Sequence, residues 1–478
     1  MDCCNVNTTH FDLIVIGGGS AATAAAIRAN ELGLTTLIVN AGLPIGGTCV
    51  NVGCVPSKFL IRAAENIYHG THSNFNGIIP SKPSVDFKKI IQQKKQLVAE
   101  MQQKKYVDIL KTLEQVQVVN GYAEFTDEKT ILVNNKDQYT AIKFIIATGA
   151  TTQIPNIEGL KESGYLTNAT LFDLEEKPES LTIMGAGYIG LEIAMAYNRL
   201  GVKVRIVEFT DRVLRASQTP DISEEIEKHL KNEGIEFFPN YRITKVETSG
   251  SQKIISGKDK EGKTFQFKEN GHIVVAPGTT PNTKKIGAEK IGLQLTKSGH
   301  VKVNELLETN IQNIYAIGDA ANTPPFVYTA AYEGKIAVEN AFTGAATKTD
   351  YSAMPWVIFT DPQVAGVGID EREAKEKNIP FEISVLPLSE VPRSIVAMDT
   401  RGFIKLIRNS ETDKFLGARI VAPEGSELVM EIALAIRYGI TVEEISKMMR
   451  PYLTLSEAVK LAAITFRKEV GALSCCAS

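Results

Sequence analysis

The stretch FDLIVIGGGSAATAAAIRANELGLTTLIVN, residues 11–40, decides how the chain is read. Its apolar run Leu13–Ile16 meets three consecutive glycines, Gly17, Gly18 and Gly19. An alanine-rich segment follows, and Thr36–Val39 is again extended and apolar in character. That order predicts strand, glycine turn, helix and strand, the βαβ unit of a dinucleotide-binding fold. Glycines at such a turn let the backbone approach a pyrophosphate, which then sits on the amide groups that open the helix.

The same grammar returns in SLTIMGAGYIGLEIAMAYNRLGVKVRIVEF, residues 180–209. Gly185, Gly187 and Gly190 complete a G-x-G-x-x-G between a predicted strand and helix, and Glu208 ends the next predicted strand. One glycine fingerprint is a weak sign, because tight turns also gather glycines. Two in proper βαβ context predict two dinucleotide sites.

Between the two units, residues 85–118 read as one long polar helix. FIIATGA (144–150) then brings a strand to Gly149, and HIVVAPGTTPNT (272–283) makes a similar strand-to-glycine exit. NIYAIGDA (313–320) presents Asp319 just past a strand, where a carboxylate can bind a ribitol or ribose hydroxyl. From Tyr351 the character changes to strands such as RGFIKLIRN and FLGARIVAP with two helical stretches, which predicts a separate α/β domain.

Composition bounds the function. The 478 residues predict about three domains. Hydrophobic content of 44% and charged content of 22% suit a soluble protein with a sizeable core. A net charge of -3 gives no ground for nucleic acid or an anionic membrane as partner. The start lacks the features of a secretory signal, and no apolar run approaches a membrane span, so the expected location is the cytoplasm. The 6 cysteines fall in pairs, Cys3/Cys4, Cys49/Cys54 and Cys475/Cys476, a pattern of redox or soft-metal chemistry in a reducing compartment.

GGTCVNVGCVPSK, residues 46–58, carries the chemistry. In a regular helix, positions i and i+5 point about 140° apart, so joining Cys49 to Cys54 needs a distorted first turn, which Gly53 makes tolerable. A thiol at a helix start near a lysine, here Lys58, has its pKa lowered, making the thiolate available for redox or metal chemistry. The plain alternative is a buried cysteine pair acting as small hydrophobes.

This segment resembles the redox-active stretch of the flavoprotein disulfide oxidoreductases, and the likeness runs through both glycine units, the ATG and GD stretches and the C-terminal region. The resemblance implies an α/β protein with two Rossmann-like domains, for FAD and NAD(P), and a C-terminal α/β dimerisation domain. The expected divisions are 1–150 and 279–350 for the FAD domain, 151–278 for the NAD(P) domain and 351–478 for the interface domain. It also implies a homodimer, a Cys49–Cys54 disulfide beside the flavin, and Lys58 near the flavin, paired with Glu192. Gly17, Gly19, Ala22, Gly42, Thr48, Ala123, Gly149, Asp319 and Val327 are the expected FAD contacts. Asn40 stands where the family usually has a glutamate for the adenine ribose.

Within that family, a histidine of a His-Pro-x-x-x-Glu motif usually serves as the acid-base catalyst; here Tyr452 stands in its place, with Glu457 five residues on. A phenol titrating near ~10 is poorly matched to protonating a thiolate leaving group at neutral pH, so a disulfide substrate is disfavoured. The tyrosine, the closing LSCCAS and the stretches FVYTAAYEG and VPRSIVAMDTRGFIKL look like the mercuric reductase branch. That resemblance implies that Cys475 and Cys476 collect Hg(II) from small thiols and pass it to Cys49 and Cys54 of the partner subunit, with Tyr106 and Tyr452 lining the metal path. Hg(II) is a soft cation that prefers thiolates, and linear two-sulfur coordination needs only a mobile pair.

The coenzyme is read as NADPH or NADH. The resemblance implies NADPH, whereas Glu208 favours the 2'-hydroxyl of NADH, with Arg212 or Arg215 as a counterweight. An N-terminal metal-carrier domain with its G-M-T-C-x-x-C motif is absent from this sequence, and Cys3 and Cys4 are read as a residual thiol site or an unstructured tail. A related flavin disulfide reductase and a thiol-based metal-binding redox flavoprotein are the alternatives.

Overall fold

The computed structural model describes residues 9–81 and 83–473. The opening stretch folds as β1 (His10–Ile16), α1 (Ser20–Glu31) and β2 (Thr36–Asn40), with β1 and β2 paired in parallel. Leu13, Ile14 and Val15 are fully buried, which accounts for the unbroken apolar run: a central parallel strand is covered on both faces. The alanines of α1 have a similar cause. Ala21, Ala22, Ala25 and Ala29 are buried, and α1 packs closely on the helix Val327–Thr343. At the crossing, a Cβ on Gly334 would lie 2.6 Å from the Ala21 carbonyl oxygen, so only glycine permits this approach.

The chain then forms α2 (Gly47–Val52), α3 (Cys54–Thr71), α4 (Phe87–Gln102) and α5 (Asp108–Lys111), followed by β3 (Val116–Asn120), β4 (Ala123–Asp127), β5 (Thr130–Val133) and β6 (Asp137–Ile146). The single helix expected over 85–118 is corrected in two ways. Residues Gln103–Val107 form a π turn between α4 and α5. Val116–Asn120 leaves the helix altogether and pairs with β2, because its valines add an edge strand to the sheet. The strand order is β3-β2-β1-β6-β5-β4, and the distant strand Ile314–Ala316 joins β6 in parallel. Residues from both sides of the second glycine unit therefore complete one sheet.

β7 (Ala150–Thr152) leads through α6 (Leu160–Ser163) and α7 (Asn168–Leu171) to β8 (Ser180–Met184), α8 (Tyr188–Arg199), β9 (Lys203–Val207) and α9 (Pro220–Asn232). With Glu236–Phe238 and His272–Val275, these strands make a four-stranded parallel sheet; an antiparallel meander over 241–269 lies beside it. β7 pairs with Thr279–Pro281, so the chain enters and leaves this unit through one two-stranded ribbon.

The remainder is a five-stranded antiparallel sheet built over 356–422 and covered by Val429–Tyr438, Val442–Lys447 and Leu455–Ile464, three helices where two helical stretches were expected. Ala458, Val459 and Ala462 of the last helix are buried against the sheet. Among the described residues, no helix is long and apolar enough to cross a membrane.

Candidate active site

The first glycine turn is a backbone cradle. Gly17 has φ +130°, and a Cβ there would overlap the Ala147 carbonyl oxygen, so the turn and the β6 exit interlock. Gly18 faces Asn40, whose side chain a Cβ would meet. Gly19 caps α1 with no side-chain cap hydrogen bond among the described residues, so the backbone N–H groups that open the helix are not capped by a side chain there. Gly46 and Gly47 close the cradle from the redox segment, with Gly46 N–H donating to the Gly18 carbonyl at 2.7 Å.

The expected FAD contacts gather along this edge. Ala22 is buried on α1; Gly42 follows β2; Ala123 opens β4 two residues past Gly121, whose N–H donates to the Asn40 carbonyl; Gly149 follows β6. Thr48 lies in α2 and Val327 opens its helix. Asp319 sits in a tight turn after the strand Ile314–Ala316, and burial pushes its carboxyl above the ordinary carboxylate range. The residues fit FAD. The Thr148 hydroxyl is buried beside the cradle without a hydrogen-bond partner among the described residues, and the backbone N–H groups that open α1 suit a pyrophosphate. Asn40 is the departure: its amide donates internally, to the Leu43 carbonyl at 3.0 Å and Asn120 Oδ1 at 3.3 Å.

Sequence reasoning missed Glu333. This fully buried carboxylate accepts from Gly318 N–H at 2.6 Å, Tyr351 OH at 2.7 Å and Thr323 OH at 3.2 Å, and so fixes the turn that carries Asp319. Burial raises its pKa. The sequence does not set it apart, since its helix also carries Lys335, Glu339 and Asn340.

The redox segment is a broken helix. Gly53, with φ -123° and ψ -106°, separates α2 from α3 and turns the two cysteines toward each other. Cys49 and Cys54 form a disulfide with Cα atoms 4.7 Å apart. Three side chains unmarked in the sequence pin the loop. Asn51 donates to the carbonyls of Pro44 at 3.0 Å and Gly47 at 2.8 Å, Gln102 to that of Ile45 at 3.0 Å, and Asn168 to that of Val52 at 2.9 Å.

Cys54 is the first residue of the 18-residue α3, and Lys58 follows one turn later on the same face. Lys58 Nζ donates to Glu192 Oε2 at 2.6 Å and lies 4.6 Å from the Phe359 ring centre. Glu192, on α8, accepts from Phe359 N–H at 2.9 Å through its other oxygen. One buried carboxylate thereby ties together the redox helix, the second glycine unit and the end of the strand Trp356–Ile358 in the five-stranded sheet.

In that second unit, Gly185 has φ +110° against the Ala276 carbonyl, and a Cβ on Gly190 would overlap the Gly185 carbonyl oxygen. Gly187 opens α8 with no atom of the described residues within 4 Å of a Cβ position, the open space that lets a pyrophosphate approach the backbone. Glu208, just past β9, accepts from Ala186 N–H at 2.6 Å and from Thr210 N–H and OH at 2.7 and 2.8 Å.

Tyr106 lies on the π turn; its OH shares a hydrogen bond with Ser20 Oγ at 3.0 Å, and its ring borders Gly46 at the head of the redox segment. Tyr452 lies elsewhere on the chain, 48% exposed, before the turn in which Leu453 N–H donates to Glu457 at 3.2 Å. Cys475 and Cys476, like Cys3 and Cys4, lie outside the described residues. Among the described residues, no cluster of three or more His, Cys, Asp or Glu is placed to hold a metal ion.

Comparison with known proteins agrees with this architecture. The pyridine nucleotide-disulphide oxidoreductase model matches residues 11–334, and the dimerisation domain of the same family matches 354–463. A mercuric reductase of Lysinibacillus sphaericus is 39% identical over 472 residues, covering 99% of this chain and 85% of that protein. One of Staphylococcus aureus is 40% identical over 98% of this chain and 84% of its own length, and one of Streptomyces lividans is 38% identical over 98% and 99%. Among solved structures, the Cu(II) complex of the HOCl-induced flavoprotein disulfide reductase RclA from Escherichia coli matches with a TM-score of 0.85 at 25% identity, over 96% of this chain and 100% of that one. The chain belongs to the pyridine nucleotide-disulphide oxidoreductase family.

Proposed function

We propose that this chain is an NAD(P)H-dependent mercuric reductase, which takes Hg(II) to Hg(0). The observation that carries the reading is near-full-length similarity to mercuric reductases in a chain whose redox disulfide is intact. Tyr452, in place of an imidazole, supports it by leaving disulfide chemistry without its usual proton donor. FAD, when bound, supplies the two-electron carrier between NAD(P)H and the Cys49–Cys54 disulfide.

The protein's own part begins with the cradle Gly17–Gly19, Ala22, Gly42, Thr48, Ala123, Gly149, Asp319 and Val327, which holds that carrier. Gly185, Gly187 and Gly190 seat the coenzyme phosphates, with Glu208 at the adenosine side. Reduction of Cys49–Cys54 leaves two thiols, and the N-terminus of α3 together with Lys58 favours the thiolate of Cys54. Glu192 holds Lys58 in place, one helical turn after Cys54.

Cys475 and Cys476 bind incoming Hg(II) and hand it to Cys49 and Cys54 of the partner subunit by stepwise thiolate exchange, so the ion is never released free. Tyr106 and Tyr452 line its path. Overall, NAD(P)H gives up two electrons and a proton, and Hg(II) accepts the two electrons. The homodimer is formed through 351–478, where Met430, Leu434 and Tyr438 leave an exposed apolar stripe on one helix. The remaining divisions are 1–150 with 279–350 for FAD and 151–278 for the coenzyme.

The test is oxidation of NADH and NADPH by the FAD-loaded protein with HgCl2 in excess small thiol. Mercury-dependent oxidation, impaired when Cys475 and Cys476 are both changed to Ala, is the expected result. Oxidation that ignores mercury with either coenzyme would exclude the reading.

A further inference from the structure

We infer that Glu208 makes this protein an NADH-selective member of its family, excluding NADPH by a fixed carboxylate at the adenosine ribose. The inference rests on the assignment of residues 151–278 as the coenzyme unit, and is independent of mercury as the final acceptor.

Glu208 follows β9, the second strand of the βαβ unit, where the adenosine ribose of a dinucleotide lies in this fold. A flexible glutamate there could swing aside for a 2'-phosphate. This one cannot. One oxygen is held by Ala186 N–H, between the first two glycines of the fingerprint, and the other by both donors of Thr210. Displacing the carboxylate would strand those backbone donors and loosen the glycine turn.

The nearby cations do not offset its charge. No lysine or arginine pairs with Glu208 among the described residues; its partners are neutral donors. Arg212 is turned inward, with Nε sealed from solvent and Nη2 directed at the Gln218 carbonyl, 3.4 Å away. Arg215 pairs with Asp211 at 3.0 Å, the same carboxylate that Arg212 approaches at 3.5 Å. Arg242 stacks 4.3 Å above the ring centre of Phe209. A 2'-phosphate would therefore meet a pinned anion, with two of the three arginines already engaged by Asp211. A 2'-hydroxyl would instead find an acceptor, since the three donors leave about one of the carboxylate's four lone-pair sites free on Oε2.

The experiment uses FAD-loaded protein without mercury. Anaerobic stopped-flow mixing with NADH or NADPH follows bleaching of the flavin absorbance, and calorimetry measures binding of 5'-ADP and 2',5'-ADP. NADH should reduce the protein faster at equal low concentration by at least about tenfold, and 2',5'-ADP should bind more weakly than 5'-ADP by a similar factor. Glu208→Gln should narrow both ratios toward unity, and Arg215→Ala should leave the NADH preference in place. Equal or faster reduction by NADPH would overturn the inference, as would tighter binding of 2',5'-ADP; both are read on wild-type protein, so a poorly folded Glu208→Gln variant leaves the test intact. Either result would leave the mercury reading untouched, because no mercury is present.

Discussion

Replacing Lys58 by Met and Glu192 by Gln, singly and together, probes the ion pair on which the site is hung. At 2.6 Å, opposite unit charges in an effective dielectric of about 20 attract by roughly 6 kcal/mol. Most of that is offset by desolvation, since the Glu192 side chain is only 8% exposed and that of Lys58 33%. Stranding one member of a fully buried pair costs about 3–5 kcal/mol. Here solvent reaches Lys58, and Phe359 N–H still serves Glu192 Oε1, so the expected cost of Lys58→Met is lower, about 2 kcal/mol.

Glu192→Gln keeps an acceptor for Phe359 N–H and leaves the lysine near water, for a loss of about 1 kcal/mol. The double variant should be no less stable than Lys58→Met alone, a coupling of about 1 kcal/mol. Calorimetric scans of the FAD-loaded protein read these as midpoint shifts of about 1 °C per kcal/mol for a chain of 478 residues, hence about 2 °C for Lys58→Met. Strictly additive losses, or an unchanged midpoint for Lys58→Met, would refute the pairing.

Further outcomes follow from the same geometry. Gly18→Ala places a methyl group against the Asn40 side chain and should weaken FAD binding at least tenfold, about 1.4 kcal/mol, measured as flavin retained after dialysis. Cys54→Ser should abolish mercury-dependent turnover and lower the number of reducing equivalents taken up in an anaerobic dithionite titration, while FAD stays bound. Burial holds the Glu333 pKa above its unfolded value, so folding favours the neutral form, and the wild type loses stability as pH rises through that raised pKa. Glu333→Gln removes this dependence: its melting midpoint relative to wild type should rise between acidic and alkaline pH, whereas a constant difference across the range would contradict the assignment.

Much of this was legible in the chain because dinucleotide binding imposes local rules. A Cβ at Gly17, Gly18, Gly185 or Gly190 would overlap a neighbouring atom, and Cys49 and Cys54 are close enough in sequence for one distorted turn to join them. What escaped reading depends on contacts far along the chain. Glu192 meets Phe359 167 positions away, and Asn168 reaches Val52 across 116. Val116–Asn120 looked helical because its polar neighbours are; only the exposed edge of β2 makes it a strand. Similarly, the π turn that carries Tyr106 has no local signature in QKKYV.

The most direct measurement is the yield of elemental mercury. FAD-loaded protein with limiting NADH or NADPH, excess thiol and HgCl2 is swept with inert gas, and the mercury vapour is trapped and counted against coenzyme oxidised. The account predicts one Hg(0) for each coenzyme, a two-electron balance, with release lost in Cys49→Ser and Cys54→Ser. Coenzyme oxidation without volatile mercury, or mercury release that survives loss of those cysteines, would contradict it.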